Sequence, residues 1–386
     1  MFNRRQILSA GVAAGAIALV PQHRARAAAT RIDVYTASDA NISDWWTNVL
    51  KPAFEAAHPE FEINVVISRG AGSGGIVAIS DRAFAALKAG IDPQVDFFEE
   101  NDPLLPKGGI EAGLWVGFDA KSVPGYVRVN PLAIESPYGL PYRGSQVVLA
   151  YDSDKVAEAE VPKDWAGLTA WIKAHPGQFI YGRPDKGGSG RNFVVRAIHE
   201  ANNRDPSLFT VASYSKPAAE ERLPKAWAIL NELAPSLYEK GAYAAGNTPT
   251  LQLLASGAVS MIPAWSDQAL QGLAQGVLPP SVKLFQLQDL ALSGSFADAT
   301  VPSNGAHKDA ALALGDFLLT DAMQVSIVKD LGGFPGVDWG KLPAELKQQF
   351  AAVIPKSIPT YPRGEWEAAM NDGWYRNVAP NVDRSK

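Results

Sequence analysis

Residues 183 to 198, RPDKGGSGRNFVVRAI, gather the residue types that could do chemistry: three glycines, a serine, an arginine and an asparagine at the mouth of a run that reads as a helix. Gly187, Gly188 and Gly190 let backbone amides approach a ligand, while Ser189 and Asn192 can cap the helix or donate to a bound group. A helix N-terminus carries about half a positive charge and free N–H groups. The stretch can therefore hold an anionic or carbonyl end of a ligand, or simply close a helix with a glycine turn. It is no nucleotide-hydrolysing loop, since no lysine followed by serine or threonine comes after its second glycine. Ala71-Gly72-Ser73-Gly74-Gly75 repeats the logic: a strand, a glycine turn with one serine, then a helix. Open α/β sheets bind ligands at the carboxyl ends of their strands, so two facing units of this kind would aim both helix mouths into one cleft.

Catalytic patterns fail on spacing. The serine hydrolase elbow needs glycine two residues either side of the serine, but Ser73 has Ala71 before it and Ser189 has Arg191 after it. His199-Glu200 begins like a zinc-protease helix, yet Asn203 stands where the second histidine belongs. A calcium loop starting at Asp152 would need glycine at Ala157 and glutamate at Lys163. The histidines beyond the N-terminal region, His58, His175, His199 and His307, are scattered beside turn residues, which suits surface or capping roles. No metal site and no cofactor are expected.

Around these loops the pattern is α/β. IDVY (32–35), EINVVIS (62–68) and QVDFFEE (94–100) read as strands. Between the first two, Trp45, Trp46, Val49, Leu50, Ala53, Phe54 and Ala57 recur at helical spacing, with Pro52 forcing a start or a kink; the tryptophans fit a core or rim stripe. A helix, IVAISDRAFAALKAG, separates the second strand from the third, which makes a lobe with a mainly parallel sheet. A second lobe follows, with a long strand within 137–156, a helix at DWAGLTAWIKAHP, strands at 178–184, 257–265 and 282–288, and helices near 219–240 and 249–256. Helix returns at 309–330 and again, with Trp366, Trp374 and Tyr375, in the tail.

At 386 residues with 47% hydrophobic and 19% charged residues, the chain has globular composition and suits two domains. Its first 27 residues read as an address: Arg4-Arg5, an apolar run from Ile7 to Val20, then Ala25-Arg26-Ala27, a small-x-small cleavage pattern. The run would span only about 21 Å as a helix, short of the roughly 30 Å hydrocarbon layer. Arg4-Arg5 resembles a twin-arginine export signal, with Asn3 and Ile7 off its consensus, so general secretory export stays open. Cleavage after Ala27 removes four arginines and no acid, moving the formal charge from −5 to −9. That argues against nucleic acid and against anionic membrane surfaces. No later segment approaches 18 uninterrupted apolar residues, and the chain has no cysteine, hence no disulfide, thiolate metal site or lipid-modified N-terminal cysteine. The expectation is an exported, free periplasmic protein.

The chain resembles the periplasmic solute-binding proteins of ABC importers (family 1-like). The resemblance rests on WWTNVLKPAFEAAHPEFEINVV, GLPYRGSQVVLAYDSDKV, VPKDWAGLTAWIKAHPGQFIYGRP, LLASGAVSMIPAW and AHKDAALALGDFLLTDAMQ followed by GGFPGVD, in the family's order over nearly the whole chain beyond residue 27. Within the family it is most similar to the branch linked to thiamine uptake. The resemblance implies the type II two-lobed fold, each lobe a mainly parallel sheet flanked by helices, with lobe I over 28–143 and 296–335, lobe II over 144–295 and 336–386, and hinge strands crossing between them. It also implies a monomer that closes over a small solute without catalysis and delivers it to an inner-membrane permease and its ATPase.

Candidate solute contacts then lie in loops that follow strands: Ser38 and Asp39, Ser73 and Gly74, Glu99 and Glu100 from lobe I, and Ser189, Gly190, Arg191, Asn192 and Trp265 from lobe II, with Tyr142 and Arg143 at the crossover. Two helix mouths and two arginines favour an anionic group, whereas Asp39, Glu99 and Glu100 with tryptophans favour an organic cation. A thiamine-like or zwitterionic compound fits both, and a sugar stays open. Iron fits less well, because the adjacent tyrosine pair of some relatives is missing from the expected region. The rival reading is a periplasmic enzyme on the same scaffold, which would require an essential acid or base that the sequence does not identify.

Overall fold

The computed structural model describes residues 29–68, 74–99, 101–344, 347, 358–359 and 363–385; the expected leader over 1–27, Ser73 and Glu100 lie outside them. Strand β1 (Thr30–Thr36) sits between β2 (Phe61–Ile67) and β3 (Phe97–Glu99), and both ladders are parallel, with Val34 opposite Val65 on one side and Phe97 on the other. Alternation sends Ile32, Val34 and Phe97 into one core and turns Tyr35 and Phe98 to a smaller cluster with Ile79, Ala83 and Trp115 on the opposite face.

Helix α1 (Ala40–Trp45) runs through a π-turn at Trp46–Leu50 into α2 (Lys51–Ala57). The wider turn comes immediately before Pro52, whose ring can neither donate nor tolerate regular helix geometry behind it. Trp45, Trp46, Leu50 and Phe54 stay on one stripe and are buried, as their spacing predicts. Trp46 packs against Phe97 and Tyr142 at ring separations of 5.7 and 5.9 Å.

Strand β4 (Leu140–Asp152) links the two main cores. Its first half pairs antiparallel with β7 (Gly294–Ala299) and β8 (Phe334–Pro335), and its second half with β5 (Met261–Trp265) and β6 (Val282–Phe285). Leu140 and Tyr142 belong to the first core, Val147 and Leu149 to the second. Where β7 begins beside β4, a Cβ on Gly294 would lie 2.6 Å from the Ser145 carbonyl oxygen, so glycine lets the strands meet there.

The second core is wrapped by α4 (Trp165–Ala174), α5 (Gly188–Ala201), α6 (Lys216–Leu233), α7 (Asn247–Ala255) and α8 (Ser266–Ala274). In the first, α9 (Lys308–Leu318) and α10 (Asp321–Ser326) cover the strands after α3 (Gly74–Ala89) has crossed the sheet's other face. Val337 and Leu342 pack in the first core; Trp366, Met370 and Trp374 of the last helix, α11 (Glu365–Asn377), pack in the second.

Four features differ from the sequence expectation. The ladders of β4 with β5 and β6 are antiparallel, so mainly parallel pairing describes the first sheet only. Residues 178–184 form no strand: Phe179, Ile180 and Tyr181 are apolar because they are buried, and only Phe179 makes a single parallel bridge, to Met261. The helix expected over 309–330 breaks at Leu319-Thr320, where the Gln324 side-chain amide donates 2.8 Å to the Leu318 carbonyl and closes α9. Strand β7, GSFADA, lacks the β-branched residues that mark strands and forms because β4 offers it an edge.

Candidate functional site

A cavity of about 450 Å³ lies between the two cores, within the usual size range of small-molecule sites. The first core contributes Ala37 to Ala40 after β1, Ser68 after β2, Asn101 and Asp102 after β3, and Ser295 to Asp298 of β7. The second contributes Lys186 to Gly188, Arg191, Ala245 to Pro249 and Trp265, with Arg363 and Glu367 from the C-terminal part. Strand ends and helix mouths from both cores thus converge on one space.

Gly246, at φ +128° in a region that favours glycine, leads the chain into α7 and sets Asn247 at the cavity. The Asn247 amide joins the two sides. Its Nδ2 donates to Asp39 Oδ2 at 2.7 Å, and its Oδ1 accepts from the Ser189 backbone N–H at 3.0 Å and the Ser189 hydroxyl at 2.9 Å. Nearby, the Asn41 amide donates 3.4 Å to Asp267, which also accepts from the Ser145 hydroxyl at 2.5 Å. Asp39 precedes α1 without capping it through its side chain. Burial, and then the neighbouring Asp267, push its carboxyl above the usual range against the Asn247 hydrogen bond and Arg143.

The mouth of α5 therefore works differently from the expected cradle. Its Ser189 N–H is already taken by Asn247, and Gly188 and Gly190 are tightly packed, with Gly187 and Gly188 bordering the cavity. A Cβ on Gly188 would lie 2.5 Å from Trp265 Cζ2, and one on Gly190 only 2.0 Å from the Gly182 carbonyl oxygen. Ser189, Gly190 and Asn192 are buried and none lines the cavity; the Asn192 amide donates to the Gly188 carbonyl at 2.8 Å. Arg191 does line it, 3.0 Å from Glu367, and Trp265 forms part of the wall over Gly188.

On the first side, Ser38 and Asp39 line the cavity, whereas Glu99 and Tyr142 are buried and do not. Glu99, 0% exposed, accepts from Thr36 Oγ1 at 2.6 Å, Ser38 Oγ at 2.7 Å, Tyr142 Oη at 2.6 Å and Arg143 at 3.1 Å. Arg143 Nε donates to Tyr142 Oη at 2.8 Å. Glu99 is thus a fully engaged buried charge that fixes Ser38 from below. Arg143 reaches a smaller neighbouring hollow shared with Asp39, Asp267 and Trp265. Gly74 is the first residue of α3.

Sequence reading passed over Asn247 and Asp298. The first had a signal, since Gly-Asn-x-Pro marks a helix start. Asp298 had none, because burial of a carboxyl cannot be read from GSFADA. It is 6% exposed, and its pKa is pushed up to about 8 by burial, opposed by Arg363 and reinforced by Glu135 and Asp102. Arg363 itself lies 2.9 Å from Glu135. Among the described residues no three His, Cys, Asp or Glu side chains gather as a metal site, and no histidine lines the cavity; His199 is a core residue whose pKa burial lowers to about 4.

The arrangement can enclose a small molecule with an aromatic wall, both signs of charge and fixed amides. A family profile described as bacterial extracellular solute-binding protein matches residues 50–352. No curated protein sequence matches the chain significantly. Among solved structures, a GABA receptor is similar at TM-score 0.65 and 14% identity over 92% of this chain and 100% of its own. A periplasmic thiamin-binding protein gives 0.64 and 17%, over 92% and 98%, and an apo ferric-ion-binding protein A from Pasteurella haemolytica gives 0.64 and 12%, over 93% and 100%. At these identities the likeness establishes the fold: the type II two-lobed architecture.

Proposed function

The chain belongs to the bacterial extracellular solute-binding proteins, and we propose that it captures a small organic solute between its two lobes and hands it to an ABC permease driven by an ATPase. The observation that carries this reading is the cavity of about 450 Å³ lined from both cores. Lobe I takes 28–143 and 296–335 and lobe II the remainder beyond the leader, save that Val337 and Leu342 pack with lobe I. The protein works as a monomer, free in the periplasm after residues 1–27 are removed on the twin-arginine route. Among the described residues no single helix is long and apolar enough to cross a membrane.

Of the expected contacts, Ser38, Asp39, Arg191 and Trp265 touch the solute, joined by Asn247, Asp102 and Asp298, while Glu99, Tyr142 and Ser189 hold these in place. A thiamine-like compound carries the aromatic ring and the charge that Trp265 and the carboxylates suit. The chemistry is capture without turnover, because ligand shifts the lobes only by the difference in its affinity for the open and closed forms. The test is a thermal-shift screen over vitamins, amines, sugars and sugar phosphates. A solute at a hundredfold excess over its Kd stabilises the protein by about 2.7 kcal/mol. A melting temperature unmoved by a broad metabolite library would refute the reading.

A further inference from the structure

Resting on that reading, we propose that Asp298 is the anchor for a positively charged nitrogen, so that the solute is an organic cation paired with this carboxyl in the closed cleft. Asp298 lines the cavity, yet 94% of its surface is covered, and among the described residues its carboxyl oxygens have no hydrogen-bond or ion-pair partner. The side chain lies so close to Gly139 that a Cβ there would approach its carboxyl carbon to 2.8 Å. A carboxyl built into a wall without a partner needs one from the ligand.

The charges around it decide the sign. Facing Asp298 are Arg363, Glu135, Asp102 and the Tyr126 hydroxyl. Arg363 is drawn to Glu135 at 2.9 Å, which leaves Asp102, and Asp298 once it ionises, as an excess of negative charge. From β4, the residue in register is Pro141, which supplies no charge. An anionic group placed here would meet the Asp102 carboxylate, and a second carboxylate once Asp298 ionises, while a cationic nitrogen would complete the set. Burial already holds Asp298 protonated to about pH 8, so uptake of a cation below that pH sends the carboxyl proton to solvent and leaves a carboxylate facing the nitrogen.

The test is calorimetric titration of the mature protein with thiamin, putrescine, γ-aminobutyrate, glucose and fructose 6-phosphate between pH 6 and 9. The expected result is binding by a compound with a positive nitrogen, tightening nearly tenfold per pH unit up to about pH 8 and then levelling, with proton release revealed by buffers of different ionisation enthalpy. Asp298→Asn should weaken that binding at least tenfold at pH 8.5 and abolish the slope. Asp102→Asn, which leaves Asp298 in place, should move the levelling point to lower pH and keeps the question answerable if the first variant does not fold. Binding of glucose or fructose 6-phosphate alone, or an Asp298→Asn variant with unchanged affinity and slope, would overturn the assignment and leave solute capture standing. Binding by none of the panel would count against the cation assignment and, extended over the wider library, against solute capture itself.

Discussion

The mouth of α5 and the C-terminal end of β7 face the same cavity and invert what their sequences advertise. At α5, three glycines and a serine look like a ligand cradle, but the free N–H of Ser189 is closed by Asn247 and the glycines admit Trp265 and the Gly182 carbonyl at contact range. At β7, an unremarkable GSFADA presents a buried carboxyl with no partner among the described residues. Helix-mouth donors are binding groups only while they are unsatisfied. Unmet hydrogen-bonding and charge, rather than residue type, mark the binding group.

The sharpest way to break this contrast is to give each region the change it should not tolerate. Titrating the unliganded protein should show the largest effect. Asp298 has its folded value near 8 and its unfolded value at 3.8, so the folded state keeps the extra proton between them. Its contribution to stability is therefore intact below about pH 4 and lost as pH rises toward 8, by several kcal/mol across the window. Asp298→Asn should flatten that loss and melt higher than the parent at pH 8.5; an identical pH profile for both would remove Asp298 as the group responsible.

Gly190→Ala comes next, because its Cβ must force the Gly182 backbone away; about 3 kcal/mol of stability should vanish in a urea titration. A neutral result there would return the glycines to a ligand-binding role. Asn247→Ala uncaps Ser189 and strands Asp39, so its denaturation midpoint should fall by the equivalent of about 1–2 kcal/mol. The smallest effect belongs to Trp265→Ala, which removes one wall: solute affinity should drop about tenfold, measured by calorimetry, with the fold retained.

Legibility followed the same physics. Ile32 and Val34, the stripe Trp45, Trp46, Leu50 and Phe54, and the long crossing strand around Val147 to Tyr151 announce themselves by period, because burial of one face imposes it. The apolar run Phe179 to Tyr181 shows the same composition without a ladder, since a strand needs a partner edge and burial does not. The direction of pairing in the second lobe depends on how distant segments return to β4, which no local pattern records. Ser38, Asp39, Arg191 and Trp265 were reachable as loop residues after strands or at a helix mouth. Asp298 was not, because its character comes from Gly139, Glu135, Asp102 and Arg363 assembled from distant parts of the chain.

The most direct test is a crystal structure of the protein with the first solute that raises its melting temperature. The account predicts electron density filling the space between the two cores, one face against Trp265 and a positively charged nitrogen about 3 Å from the Asp298 carboxylate. Density outside that cavity, or a bound solute that leaves Asp298 and Trp265 untouched, would contradict it.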